Sequence, residues 1–453
     1  MRKSRGKALT AALLVLGFIA GCGDDDSPPP TTDQQLRAAI QTAKITALDP
    51  GPKPAAAKVA LGRVLMFDKE LSGNRDTSCA TCHHPLMHTA DAQSVSIGTG
   101  GRGLGPTRIL GVDRSLIPRN APEVFNRGAT LWTTMFWDMR VAGSVTAGFT
   151  SPAQNALPDG LDSVLAVQAM FPVTSRDEMR GKAGDSDVSG EPNEVALLAD
   201  SDFTGVWTTL IQRLLRIPGY VALFNSAFPD VPTDRLGFEH AANAIAAFES
   251  AAWRLVDSPW DRYVAGDDSA LSVNAKRGAL LFFGKAGCAG CHSGNLLSDQ
   301  QAHNVGVPQV GPGKGDAAPL DYGRGGITGQ AADRYKFRTP PLRNVALTGP
   351  WMHDGAYTTL EGAVRHLLDP ATALRKYDVA QLIPELRSTF QGSAETLAAI
   401  LATLDPLVAT PKSLTDMEVN EILTFLESLT DPAEADLVAD IPASVPSGLP
   451  VRD

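Results

Sequence analysis

The chain has 453 residues, 43% hydrophobic and 20% charged, with a formal net charge of −10 at pH 7. That length supports two or more domains. The acidic balance excludes the basic footprint of a nucleic-acid-binding protein. There are five cysteines, and their placement organises the reading.

Residues 1–21 read as a lipoprotein signal peptide. Arg2, Lys3, Arg5 and Lys7 precede a short apolar run, Ala8–Ala20, too short to span a bilayer comfortably as a mature helix. The run ends Ile19-Ala20-Gly21-Cys22. Cys22 is therefore expected to carry lipid and to hold the mature chain on the periplasmic side of a bacterial membrane. Residues 22–53 are expected to be this lipidated N-terminus and a tether, with Gly23–Thr32 acidic and proline-rich.

A first domain is expected over residues 54–256. Ala57, Leu61, Val64 and Leu65 predict a helix within Pro54–Asp68. A turn at Leu71–Asn74 leads into Cys79-Ala80-Thr81-Cys82-His83. C-x-x-C-H is the attachment signal for a c-type haem. Its thiols add across the haem vinyl groups, and the histidine supplies the proximal nitrogen to iron. Ser94–Pro106 is glycine-rich but lacks the G-K-[ST] of a phosphate loop, so it reads as backbone wrapping the haem. Asn155–Pro192 reads as mostly irregular, with an apolar helical piece near Leu161–Met170. Thr233–Val256 reads as a strong amphipathic helix with Phe238, Ala241, Ile245 and Phe248 on its buried stripe.

Ser258–Asp268 reads as the connection to a second domain, expected over 257–432. Ala275–Phe283 is helical, and Gly278…Phe283 repeats the spacing of Gly62…Phe67, which suggests internal duplication. Cys288-Ala289-Gly290-Cys291-His292 follows, then a second glycine-rich loop, Gly306–Gly329. Pro370–Lys412 has helical patterns and no identifiable chemistry. Thr415-x-x-Glu418 is a capping box that opens a helix bearing Val419, Ile422, Leu423, Leu426 and Leu429 on one face, stopped by Pro432. Residues 433–453 read as a peripheral tail. Strand signals are few. The expected fold is mainly α: two cytochrome c-like haem domains with long Gly/Pro-rich loops. The four motif cysteines could in principle hold zinc, but the histidine after each pair and the exported context favour two covalently bound haems.

Several segments resemble the bacterial di-haem cytochrome c peroxidase family, which includes the MauG-type enzymes. They are LGRVLMFDKELSGN before the first motif, RNAPEVFN at 119–126, Phe136-Trp137-Asp138, and Gln168…Pro172…Glu178-Met179. AIAAFE at 244–249, DRYVAGD at 261–267, HNVGVP at 303–308 and FRTPPLRNVALTGPWMHDGAYTTLEGAV at 337–364 continue the match. The resemblance implies that hydrogen peroxide binds at the haem of His83, with Glu178 as the acid–base group and Gln168 and Pro172 completing the pocket. Trp137 matches the aromatic residue between the two haems, in a place to relay electrons. Asn120, Thr348 and Pro350 match positions that bind a structural calcium ion. A small cytochrome c or cupredoxin is the implied electron donor, and family peroxidases are often homodimers.

Two axial positions depart from the family pattern. The histidine that caps the peroxidatic iron is replaced in Ser96-Ile97-Gly98-Thr99-Gly100 by Thr99. A hydroxyl is a poor ligand for ferric haem, so this haem is expected to be open without reductive activation, unless His88 substitutes. The Met or Tyr that caps the second haem is replaced by Leu367. His366 is the best substitute by sequence, with Tyr377, Met352 or an unligated iron as the alternatives. Three functions follow: a peroxidase, a MauG-like enzyme that oxidises residues of a partner protein, or a di-haem electron carrier. Thr99 and Glu178 favour the enzymes, because a carrier needs neither an open site nor a poised carboxylate.

Overall fold

The computed structural model describes residues 29–452, so the signal segment and Cys22 lie outside the described residues. Helix occupies 44% of the chain and strand 5%, which makes the fold mainly α. No helix among the described residues is long and apolar enough to cross a membrane.

Two hydrophobic cores are built on the same device. In the first, helix Ala56–Phe67 buries Leu61, Leu65 and Met66 against Ala241, Ala244, Ile245 and Phe248 of helix Phe238–Ala252. A Cβ on Gly62 would lie 1.8 Å from the Ala244 carbonyl oxygen. In the second, helix Val273–Phe283 crosses helix Asp416–Glu427, and a Cβ on Gly278 would lie 1.8 Å from the Glu421 carbonyl oxygen. Each crossing brings backbone against backbone, which only glycine permits. The repeated Gly spacing in the sequence thus corresponds to a repeated helix crossing. Thr415 and Glu418 form the expected capping box.

Helices Phe203–Leu215 and Pro218–Ala227 complete the first core with Trp207, Tyr220 and Phe224. The Trp207 indole donates to the Met170 carbonyl at 2.7 Å, holding the Val164–Ala169 helix. A small antiparallel sheet, Thr134–Met135, Val141–Ser144 and Gly148–Thr150, lies beside it. The Ser258–Asp268 connection is not a bare linker. Its helix Pro259–Val264 buries Trp260 and Tyr263 in the second core.

Both chain ends depart from expectation. Within the expected 22–53 tether, Thr32–Thr42 is a helix that buries Leu36 and Ile40 in the second core. Asp33 pairs with Lys276 at 2.7 Å, and Arg37 pairs with Asp268 at 2.6 Å. The 433–453 tail is not peripheral either. Leu437 and Val445 are buried in the first core. Arg63 donates to the carbonyls of Ala439, Asp440 and Ile441, and the Ser447 hydroxyl donates to Asp68 at 2.7 Å. The N-terminal segment straps the second core and the C-terminal segment straps the first. Few apolar residues in each make these contacts, too few for a periodic signal.

Gly62→Ala or Gly278→Ala should lower holoprotein stability by about 1–3 kcal/mol or more, because the added methyl overpacks a crossing that cannot open locally. Chemical denaturation followed by haem absorbance measures this, and an unchanged midpoint would contradict the close crossing.

Candidate active site between two haem cavities

Each C-x-x-C-H motif lines a cavity. The first, of about 1220 Å³ including its mouth, is walled by Cys79, Cys82 and His83, and the second, of about 1320 Å³, by Cys288, Cys291 and His292. Ser78 and Thr81 cap the short Cys79–Cys82 helix reciprocally. His83 Nδ1 lies 3.1 Å from the Thr89 carbonyl and His292 Nδ1 lies 3.0 Å from the Leu297 carbonyl. A carbonyl can only accept, so each Nδ1 carries the proton and each Nε2 is left as the ligand atom. Burial lowers the pKa of both, that of His83 to about 4, keeping the imidazoles neutral as iron requires.

The residues around the first cavity fit a haem. Arg127 Nη1 and Arg338 Nη1 are buried without a hydrogen-bond partner, and both residues line it. Two unpaired guanidinium N–H groups suit the carboxylates of haem propionates. Trp137 and Arg338 line both cavities, so both stand between the two haem sites. Its indole donates to the Asn120 carbonyl at 3.0 Å.

Gln168, Pro172 and Glu178 come together in the first cavity. Glu178 sits on a single wide turn, Arg176–Arg180. The glycine-rich loop holds that turn from behind. Thr99 N–H donates to the Glu178 carbonyl at 2.9 Å, and a Cβ on Gly98 would lie 2.0 Å from the Asp177 carbonyl oxygen. Thr99 itself does not line the cavity, and its hydroxyl donates to Asp76 at 2.8 Å. His83 is the one histidine lining this cavity. His88 is turned away, with Nδ1 2.8 Å from Glu434 of the C-terminal strap.

Burial raises the Glu178 pKa, opposed by the positive charges of Arg140, Lys314 and Arg119. Lys314 was not singled out by the sequence, because nothing in the Gly306–Gly329 loop signals that it crosses to the other half's haem site. It lines the first cavity, and burial with the nearby Arg140 and Arg119 lowers its pKa to about 8. Arg119 anchors the loop. It pairs with Asp138 at 2.6 Å and with Asp321 at 2.6 Å, joining the two halves behind the pocket. Asp138 is held well below the carboxylate range: burial pushes it up, but Arg140 and Arg119 outweigh it.

The structure corrects the expected ligand of the second haem. His366 is buried but does not line the cavity, whereas Leu367 does. His366 Nδ1 is 2.7 Å from the Tyr357 hydroxyl and Nε2 is 2.8 Å from the Val305 carbonyl. On a helix, consecutive side chains point about 100° apart. Leu367 and Leu368 line the cavity on this helix, whereas His366 lies off that face with its ring nitrogens engaged elsewhere. The Tyr377 hydroxyl donates to the Ala356 carbonyl, leaving Met352 as the one named alternative that lines the cavity. Leu407, Val408 and Lys412 also line it, so the 370–412 segment covers this cavity's mouth. His303 fastens that segment, with Nδ1 2.7 Å from Asp405. Cys291, Asp299 and His303 lie within reach of one ion, but Cys291 is a haem-attachment thiol.

Asn120 N–H donates to the His353 carbonyl at 2.8 Å, and its side-chain NH2 donates to the Gln93 carbonyl at 2.7 Å. Its amide oxygen accepts no hydrogen bond among the described residues. With both ring nitrogens of His366 engaged, His366→Ala should leave the EPR signature of the second haem unchanged. A change of axial-ligand field would contradict this placement.

A family model described as di-haem cytochrome c peroxidase matches residues 56–269. The methylamine utilization protein MauG of Methylorubrum extorquens is 33% identical over 316 residues, covering 69% of this chain and 68% of the relative. The cytochrome c551 peroxidase of Pseudomonas aeruginosa is 34% identical over 307 residues, covering 67% and 69%. The cytochrome-c peroxidase IdrP1 of Denitromonas iodatirespirans is 31% identical over 435 residues, covering 88% and 93%. A solved MauG-like protein associated with microbial copper homeostasis superposes with TM-score 0.58 at 26% identity, covering 84% of this chain and 91% of that one. This chain belongs to the di-haem cytochrome c peroxidase family, and is an oxidoreductase with two covalently bound c-type haems.

Proposed function

We propose that the first cavity reduces hydrogen peroxide to water, with Glu178 moving the proton that cleavage requires. The observation that carries this reading is a carboxylate of raised pKa in a haem cavity whose one histidine is the proximal one. Peroxide plus two electrons and two protons gives two waters; the two bound haems would supply the electrons. Glu178 takes a proton from one peroxide oxygen and returns it to the other, so that water can leave. Gln168 orients the peroxide. Arg140 and Lys314 stabilise the negative charge that develops as the O–O bond breaks. Trp137, common to both cavities, relays the second electron. With Thr99 bonded to Asp76, no reductive activation is needed.

The donor class is a small cytochrome c or cupredoxin, and the net charge of −10 suits a basic one. Lipid on Cys22 would hold the enzyme on the periplasmic side of a bacterial membrane, and a second copy of the chain is its proposed partner. A calcium ion would take the free amide oxygen of Asn120 and the backbone carbonyls of Thr348 and Pro350, a hard-oxygen donor set. The missing Met at Leu367 favours a second reading, long-range oxidation of a partner protein through Trp137, while the missing Tyr at the same position counts against it. A peroxide-oxidised state that persists without any external donor would favour that reading over the peroxidase.

Glu178→Gln should lower peroxide turnover by roughly 10²–10⁴-fold while both haems remain attached. Turnover near wild type would remove Glu178 from the proposed role. The pH profile gives a second test. The carboxylate is the working base, so peroxide reaction is lost as pH falls through the Glu178 pKa. Lys314 favours the carboxylate. Lys314→Gln should therefore move the acid limb to higher pH, and an unmoved limb would exclude the coupling.

A further inference from the structure

We propose that Tyr357 and His366 form a proton-coupled redox site beside the second haem cavity, where an oxidising equivalent from peroxide is stored as a neutral tyrosyl radical. The proposal rests on the reading that peroxide oxidises the haems.

The hydrogen-bond chain fixes every proton. His366 Nε2 faces the Val305 carbonyl at 2.8 Å, which can only accept, so Nε2 carries the hydrogen. Nδ1 is then the bare lone pair, and the Tyr357 hydroxyl donates to it at 2.7 Å. Burial lowers the His366 pKa to about 4, so the imidazole is neutral and free to accept a proton. Burial likewise raises the Tyr357 pKa, so the phenol stays protonated until it is oxidised.

The pair is one residue layer from the second cavity. Val305, which holds Nε2, lines the second cavity, as does Leu367, the neighbour of His366. Trp351 also lines it, and its N–H donates to the Tyr357 carbonyl at 2.8 Å. In the step itself, one electron leaves Tyr357 for the peroxide-oxidised haem centre, which is reduced by one equivalent. The Tyr357 O–H bond breaks, and its proton passes to His366 Nδ1. The imidazolium keeps both hydrogen bonds, now as donor to the tyrosyl oxygen and to Val305. An electron from the donor protein later reverses the step, and the proton returns.

Neighbouring aromatics lack this arrangement. The ring of Tyr377 lies 5.6 Å from that of Tyr357, but its hydroxyl donates to the Ala356 carbonyl, which is no base. The Trp351 indole likewise meets a carbonyl, that of Val345, at 2.9 Å. Among the described residues, Tyr357 is the tyrosine hydrogen-bonded to a histidine. It is therefore where a tyrosine can lose an electron and a proton together.

The test is freeze-quench EPR of the oxidised holoprotein after one equivalent of hydrogen peroxide, with haem absorbance followed in parallel. Ring-deuterated tyrosine should narrow the radical signal. The signal should survive Tyr377→Phe, disappear in Tyr357→Phe with the haem response intact, and fall several-fold in His366→Gln. A tyrosyl signal that persists in Tyr357→Phe overturns the proposal. So does a haem response to peroxide with no tyrosyl signal in the wild type, while the first-cavity reading stands. Haem bands indifferent to peroxide overturn both. Should Tyr357→Phe not fold, the His366→Gln and deuterium results decide, and undiminished yield in His366→Gln counts against the pair.

Discussion

Two backbone-to-backbone helix crossings, Gly62 on Ala244 and Gly278 on Glu421, fix the position of each haem-attachment motif. Each crossing lies on the helix that leads into a C-x-x-C-H segment. The chain that follows has little regular structure of its own, and it is held from outside. Side chains that line the cavities, such as Glu178 in the first and Leu367 in the second, are placed against this frame. The chain ends add a second restraint. Because each terminal segment packs on the core remote from it in sequence, neither half is closed by its own residues alone.

The first haem site also draws on both halves. Glu178 belongs to the first, but part of the field around its carboxylate comes from Lys314 of the second. Arg119, between Asp138 and Asp321, fastens the loop that carries Lys314. Separating the halves would remove a positive charge from beside Glu178 and let its pKa rise further. The glycine-rich loop after the first motif serves the same centre differently. At the position where the resemblance implies a capping histidine, Thr99 hydrogen-bonds Asp76 through its hydroxyl and the Glu178 carbonyl through its N–H. The loop thus supports the turn that carries Glu178.

The haem motifs, the helices leading into them and the mainly α fold were legible because their signals are local: fixed Cys and His spacing, apolar periodicity, a capping box. Glu178, Gln168 and Pro172 were found through resemblance, since a lone carboxylate between Arg176 and Arg180 carries no signal of its own. Lys314 was illegible because it reaches the first haem site across a long separation. His366 was misjudged by one helical position. Sequence adjacency to Leu367 suggested a substitute ligand, whereas the turn of the helix sends the imidazole to Tyr357. The strap at Thr32–Thr42 was hidden by composition, since Leu36 and Ile40 alone make its core contacts. Its capping box, Thr31 with Gln34, is a signal that could have revealed it.

The central claim is that the first haem has an open iron face served by Glu178. The most direct measurement is the absorption and EPR spectrum of the fully oxidised protein before and after one equivalent of hydrogen peroxide. A high-spin ferric signal that vanishes on addition is the predicted result. Two six-coordinate low-spin haems, unchanged by peroxide, would contradict it and mean that a side chain caps the iron after all.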